Sequence, residues 1–199
     1  MKNEKKLKKE SSKFRKNYSL FKKTVQLKSE KRIDQKTFDK DLKKNIKDAI
    51  NQIAKINDSL LNQKLFPLVL GGEHSITSGC IIPFVRRYKN ICLLHFDAHA
   101  DLRESYNKNK FSHASAIRRC LDHKNVNVIS FGIRNISAEE ISYLKKNNKR
   151  IKIFWAKDKD KWNLNLFKKL IKNRTVYLTF DVDGFDSSVM AATGTPEPG

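Results

Sequence analysis

Five short apolar runs dictate what this chain can become: Phe66–Leu70, Ile91–Phe96, Val126–Phe131, Ile151–Phe154 and Thr175–Phe180. None has a hairpin turn beside it. A strand with one wet face alternates apolar and polar residues, whereas a strand apolar on both sides belongs inside a parallel sheet. Parallel neighbours need a crossover between them. The intervening stretches Ser75–Tyr88, His113–Leu121, Ala138–Asn148 and Leu164–Lys172 carry helical spacing, and Ser137 with Glu140 forms a capping-box pattern ahead of the third. Upstream, Ile46, Ala49, Ile50, Ile53, Ala54, Ile56 and Leu60 recur at helical intervals and predict an amphipathic helix over Leu42–Leu61. The pattern predicts an α/β domain over residues 42–199, with helices on both faces of a mainly parallel sheet.

Residues 1–41 read differently. They are poor in apolar residues and rich in lysine, and the stretch up to Lys44 contributes about half of a net charge of +21. A disordered or partly helical basic tail is expected there. Few aromatics interleave its lysines, so no specific nucleic-acid partner is predicted, although weak nonspecific polyanion binding is. Met1-Lys2-Asn3-Glu4 opens the chain without a signal-peptide pattern, and no apolar run approaches the roughly 20 residues needed to span a bilayer. Cys80, Cys92 and Cys120 are odd in number and form no CxxC pair, as in a reduced, cytoplasmic protein.

Chemistry is concentrated behind three of the runs. Leu70 is followed by Gly71-Gly72-Glu73-His74-Ser75, Phe96 by Asp97-Ala98-His99-Ala100-Asp101, and Phe180 by Asp181-Val182-Asp183-Gly184-Phe185-Asp186. Ligands of open α/β sheets bind beyond the carboxyl ends of strands. Asp97 and His99 are two residues apart, as are Asp181 and Asp183, so each pair projects from one side of extended backbone. Singly, each cluster has an ordinary explanation: turn glycines, a helix-capping Asp, or a calcium loop lacking its closing Glu. Together they bring four carboxylates and two imidazoles to one crevice, a charge density that divalent cations would relieve. Oxygen-rich donors with imidazole suit manganese better than zinc, a preference that leaves iron, cobalt and zinc open.

The run from about Phe66 to Gly199 resembles the central part of the arginase/agmatinase (ureohydrolase) family, and most closely the agmatinases. The resemblance implies a three-layer α/β/α sandwich, usually a homo-oligomer of three or six subunits, with two Mn2+ ions per subunit. It assigns His74, Asp97, Asp101 and Asp181 to one ion and Asp97, His99, Asp181 and Asp183 to the other. The implied activity is hydrolysis of a small guanidinium compound to urea and an amine, above all agmatine to putrescine. Asp101 would relay a proton to the leaving amine, His113 would exchange protons with solvent, and Thr195 would line the guanidinium pocket. Arg103 stands where arginases usually place an Asn that grips the substrate's α-carboxylate, and Gly194-Thr195-Pro196-Glu197-Pro198-Gly199 has the agmatinase pattern. Arg118 and Arg119 read as structural surface residues.

The sequence also departs from the pattern. No Gly/Arg/Pro-rich loop precedes Lys64, Ser187 replaces a usual proline, and the sequence reaches Gly199 before the family's guanidinium-binding glutamate. A truncated fold is therefore expected. Besides hydrolysis of agmatine, the readings held open are another guanidine such as arginine, a remnant without turnover, and a polyanion-binding protein acting through its tail.

Overall fold

The computed structural model describes residues 34–199, together with Lys5, Lys9, Ser12, Lys13 and Lys16; the rest of the expected tail lies outside the described residues. The chain divides into two compact units, Met1–Pro83 and Phe84–Gly199.

The first unit is built on helix α1 (Gln35–Asn62), which starts upstream of the expected Leu42. Asp34 explains the earlier start. Its carboxylate accepts the backbone N–H of Thr37 at 2.8 Å and the Thr37 hydroxyl at the same distance, a full N-cap. Ile50 and Ala54 form the buried stripe of α1. Helix α2 (Ile76–Cys80) approaches so closely that a Cβ on Gly79 would stand 2.8 Å from the Ile50 carbonyl oxygen. The predicted helix Ser75–Tyr88 is split into α2 and α3 (Ile82–Arg87). Pro83 accounts for the break, because it has no N–H to donate to the preceding turn and fits only at a helix start.

The expected strand Phe66–Leu70 does not form. Its backbone is irregular, and Phe66, Leu68 and Leu70 are 90, 77 and 89% exposed. A strand exists only through a neighbour's hydrogen bonds, and the described residues of this unit contain no strand to pair with.

The second unit carries a four-stranded sheet of β1 (Ile91–Phe96), β2 (Val126–Ile133), β3 (Ile151–Trp155) and β4 (Thr175–Phe180), in the order β3-β2-β1-β4. Every pairing is parallel. The connections contain α4 (Ala116–Leu121), entered through a 3-10 turn at His113–Ser115, then α5 (Ala138–Lys146) and α6 (Leu164–Ile171). Apolar runs without hairpins thus become a parallel α/β sheet, as predicted.

One face of the sheet holds Cys92, Ile129, Phe131 and Phe154, packed against Leu94, Phe96, Trp162 and the α6 residues Leu166, Phe167, Leu170 and Ile171. Phe131 stacks on Phe154 with ring centroids 4.5 Å apart. On the opposite face Ile91, Leu93, Val126 and Val128 are sealed from solvent, and α4 packs on β2. The chain runs β1, β2, β3 in one direction and then places β4 on the other side of β1. This reversal leaves the carboxyl ends of β1 and β4 side by side, the position where open α/β sheets bind ligands. No helix among the described residues is long and apolar enough to cross a membrane.

Candidate metal centre

The reversal delivers two of the three sequence clusters to one place. Phe96 of β1 pairs with Phe180 of β4, and the Asp181 N–H donates to the Phe96 carbonyl at 2.9 Å. Asp97 and Asp181 therefore leave adjacent strands at the same level. A 3-10 turn at Val182–Gly184 brings Asp183 inward, where it is 3% exposed. Asp97, His99 and Asp183 then offer ligand atoms within 4.8 Å of one another, and His95, Asp97 and Asp101 do the same on the other side of Asp97.

The contacts within this group are specific. Asp97 Oδ1 accepts the His99 N–H at 2.6 Å, while Oδ2 lies 2.8 Å from His95 Nε2. His95 Nδ1 is in turn 3.0 Å from Ser130 Oγ, its register partner on β2. Asp183 Oδ1 accepts the Ala98 N–H at 3.2 Å, and Oδ2 lies 3.1 Å from His99 Nδ1. The hydrogen bond to Asp183, followed by that to Asp97, pushes the His99 imidazole up to about 10, against the opposing effect of burial. The carboxylates that surround this ring make the pocket electronegative.

Backbone geometry maintains it. Asp101 has φ +52, a left-handed conformation that is uncommon outside glycine and costs energy unless its surroundings hold it. Here the Asp101 carbonyl accepts the Arg118 N–H at 2.9 Å, and the next amide, Leu102 N–H, donates to Glu140 Oε1 at 2.8 Å. Gly132, at φ +86, lies against this loop, and a Cβ there would sit 3.2 Å from the Asp97 carbonyl oxygen. Arg134 acts as a clamp: its guanidinium donates to the carbonyls of Gly132, Asp183, Gly184, Phe185 and Glu197.

The other expected site residues are placed as follows. Asp181 belongs to neither triad among the described residues, and its Oδ1 accepts the Asp183 N–H at 3.2 Å. His74 lies in the first unit, buried at the turn entering α2, where its carbonyl accepts the Thr77 N–H. His113 is exposed at the start of the 3-10 turn, with its ring 5.4 Å from that of Tyr106. Thr195 donates its hydroxyl to Asp183 Oδ2 at 2.8 Å. Arg118 and Arg119 hold Glu104 at 2.8 and 3.2 Å, and Arg119 is buried, not on the surface as expected.

Sequence reasoning missed His95, Arg134, Asn135 and Glu197. His95 left a signal, being an imidazole inside an apolar run two residues before Asp97. Glu197 left only its place in the Gly194–Gly199 pattern, and Arg134 and Asn135 left none, since most of their partners lie far along the chain.

The donor chemistry fits a divalent cation. Carboxylate oxygens and imidazole nitrogens converge there, the donor types that divalent cations take.

A parallel α/β sheet with a carboxylate–imidazole cluster at its switch point defines the class of fold, and comparison with known proteins narrows it. The arginase family model matches residues 5–199, and the chain belongs to that family. It is 36% identical to the agmatinase of Pyrococcus horikoshii over 156 residues, covering 77% of this chain and 51% of that protein. It is 38% identical to the N(1)-aminopropylagmatine ureohydrolase of Thermococcus kodakarensis over 140 residues, or 69% and 45% of the two chains. The solved agmatine ureohydrolase of Thermoplasma volcanium superposes with a TM-score of 0.66 at 30% identity, covering 77% of this chain and 52% of that one. The arginase of Bacillus cereus gives 0.68 at 26% identity, covering 78% and 61%. The chain spans about half the length of the curated relatives it matches.

Proposed function

We propose that this chain carries the metal half of a manganese-dependent guanidine hydrolase, acting on agmatine or an aminopropyl derivative of it to release urea. The observation that carries the reading is the convergence of Asp97, His99, Asp101 and Asp183 in an arginase-family chain. The names of its relatives support the substrate class. His74 and Asp181 are assigned as further ligands by their places in the family motifs.

A pair of divalent cations held by these side chains supplies water activated near neutral pH and neutralises the carboxylates. The rest of the chemistry falls to the protein. A guanidinium carbon is a poor electrophile, and after attack the departing nitrogen must be protonated. Asp101 is 5% exposed and sits at a left-handed turn of the ligand loop. It accepts a proton from the attacking water and returns it to the departing amine. His113, at the solvent-exposed end of the loop, exchanges a second proton, the one that readies the site for the next water, with bulk solvent. Thr195, anchored on Asp183, borders the guanidinium. Arg103 occupies the position at which a carboxylate-gripping Asn would select arginine.

The test is urea release from agmatine, aminopropylagmatine, arginine and 4-guanidinobutyrate, with manganese present. Turnover on agmatine or its aminopropyl derivative, lost in Asp183→Ala, is the expected result. Cation binding without urea from any of the four would leave a metal-binding remnant, and no cation binding would remove the proposal altogether.

A further inference from the structure

Glu197 stands outside the residues assigned above, yet the structure commits it to one of them. Its Oε1 lies 3.3 Å from His99 Nε2, on the side of the ring away from Asp97 and Asp183. The opposite ring nitrogen, Nδ1, lies 3.1 Å from Asp183 Oδ2 and 3.5 Å from Asp97 Oδ1. The imidazole is thus held between two carboxylates on the inner side and one on the outer.

Glu197 is itself fixed. The Asn135 side-chain amide donates to the same Oε1 at 2.5 Å, and Arg134 donates to the Glu197 carbonyl at 2.8 Å. Asn135 is bound to the ligand loop, forming a parallel bridge with His99 and donating its N–H to the Ala98 carbonyl at 3.0 Å. The continuation of β2 beyond Ile133 therefore presents both the loop that bears His99 and the carboxylate behind it.

We propose that Glu197 is the positioning residue for His99. Its carboxylate accepts the Nε2–H, so the neutral ring keeps its lone pair on Nδ1, facing Asp97 and Asp183. An imidazole ligand must bind through an unprotonated nitrogen, and a carboxylate on its far nitrogen sets both the tautomer and the ring plane. The assignment rests on the reading that Asp97, His99 and Asp183 hold a divalent cation.

The test uses the full chain and has two readouts, neither of them activity. The first is Co2+ affinity, by calorimetry and visible absorption, for wild type, Glu197→Gln, Glu197→Ala and Asp183→Ala. The second is the tautomer of His99 in Zn2+-loaded, 15N-labelled protein, read from imidazole NMR couplings. Wild type is expected to show an Nε2–H ring. Glu197→Ala should bind Co2+ roughly 10–100-fold more weakly, and Glu197→Gln, which keeps an acceptor oxygen, should recover most of that loss. An unchanged affinity in Glu197→Ala overturns the assignment and leaves the metal centre standing. A wild-type chain that takes up no Co2+ overturns the metal centre itself. If Glu197→Ala does not fold, the wild-type tautomer still decides, because an Nδ1–H ring excludes the proposed role.

Discussion

At the scale of single residues, the candidate site depends as much on the absence of side chains as on their presence. Gly132 combines φ +86 with a Cβ position 3.2 Å from the Asp97 carbonyl oxygen. An alanine there meets a left-handed backbone and a rigid loop at once, so Gly132→Ala is expected to cost about 1–2 kcal/mol. It should also lower cation affinity by displacing Asp97. Gly72 is the matched control: its backbone is not left-handed and nothing lies within 4 Å of its Cβ position. Gly72→Ala should leave the denaturant midpoint nearly unchanged, and equal losses in the two variants would refute the account. That Asp97 and His99 would lie together was legible in the sequence because the pair is local, two residues apart on extended backbone. Arg134, Asn135 and Glu197 were illegible because their roles arise only when β2, the Asp183 turn and the last residues meet. Asp181 shows the limit from the other side, since spacing placed it beside Asp183 but could not show that its carboxylate would cap the turn.

At the scale of elements, the parallel sheet was legible because burial on both faces forces unbroken apolar runs, and four of the five runs became strands. Phe66–Leu70 failed because pairing is a property of two segments, and apolarity in one cannot supply the other. The capping box of α5 was legible too, but its reach was not. Glu140 Oε2 accepts from the Ser137 amide and hydroxyl, while Oε1 accepts the Leu102 N–H beside Asp101. Removing this buried carboxylate strands donors in two elements, so Glu140→Ala should cost about 1–3 kcal/mol in chemical denaturation. Ser137→Ala, which spares the Leu102 bond, should cost less. In β1, burial pushes the Cys92 thiol up to about 11, partly offset by Arg174. The unfolded thiol ionises near 9, so the folded state holds its proton longer. The stability this thiol contributes is complete below about pH 9 and is lost as pH rises toward 11. The gap between the denaturant midpoints of wild type and Cys92→Ala should therefore change in that interval and stay constant from pH 6 to 8. A gap that is flat up to pH 11 would show that the thiol is not shielded.

At the scale of the whole molecule, charge is unevenly matched to function. The candidate site is electronegative, while the chain as a whole carries +21. These two facts lead to separable behaviours. A basic chain binds polyanions by releasing their counterions, an affinity that falls steeply between about 50 and 200 mM salt and carries no sequence information. Screening over about 10 Å at 0.1 M salt keeps such binding from reporting on a buried carboxylate cluster. The helix that begins at Gln35, capped by Asp34, sets the boundary for the decisive variant: removing residues 1–33 takes away much of the basic surplus and spares α1. That deletion is expected to reduce heparin retention at low salt and to leave Co2+ affinity unchanged. Asp97→Ala and Asp183→Ala should do the reverse, abolishing cation uptake while heparin retention holds. If the deletion also removed cation binding, the basic segment would belong to the site, and the separation between an electrostatic arm and a metal-holding α/β unit would be wrong.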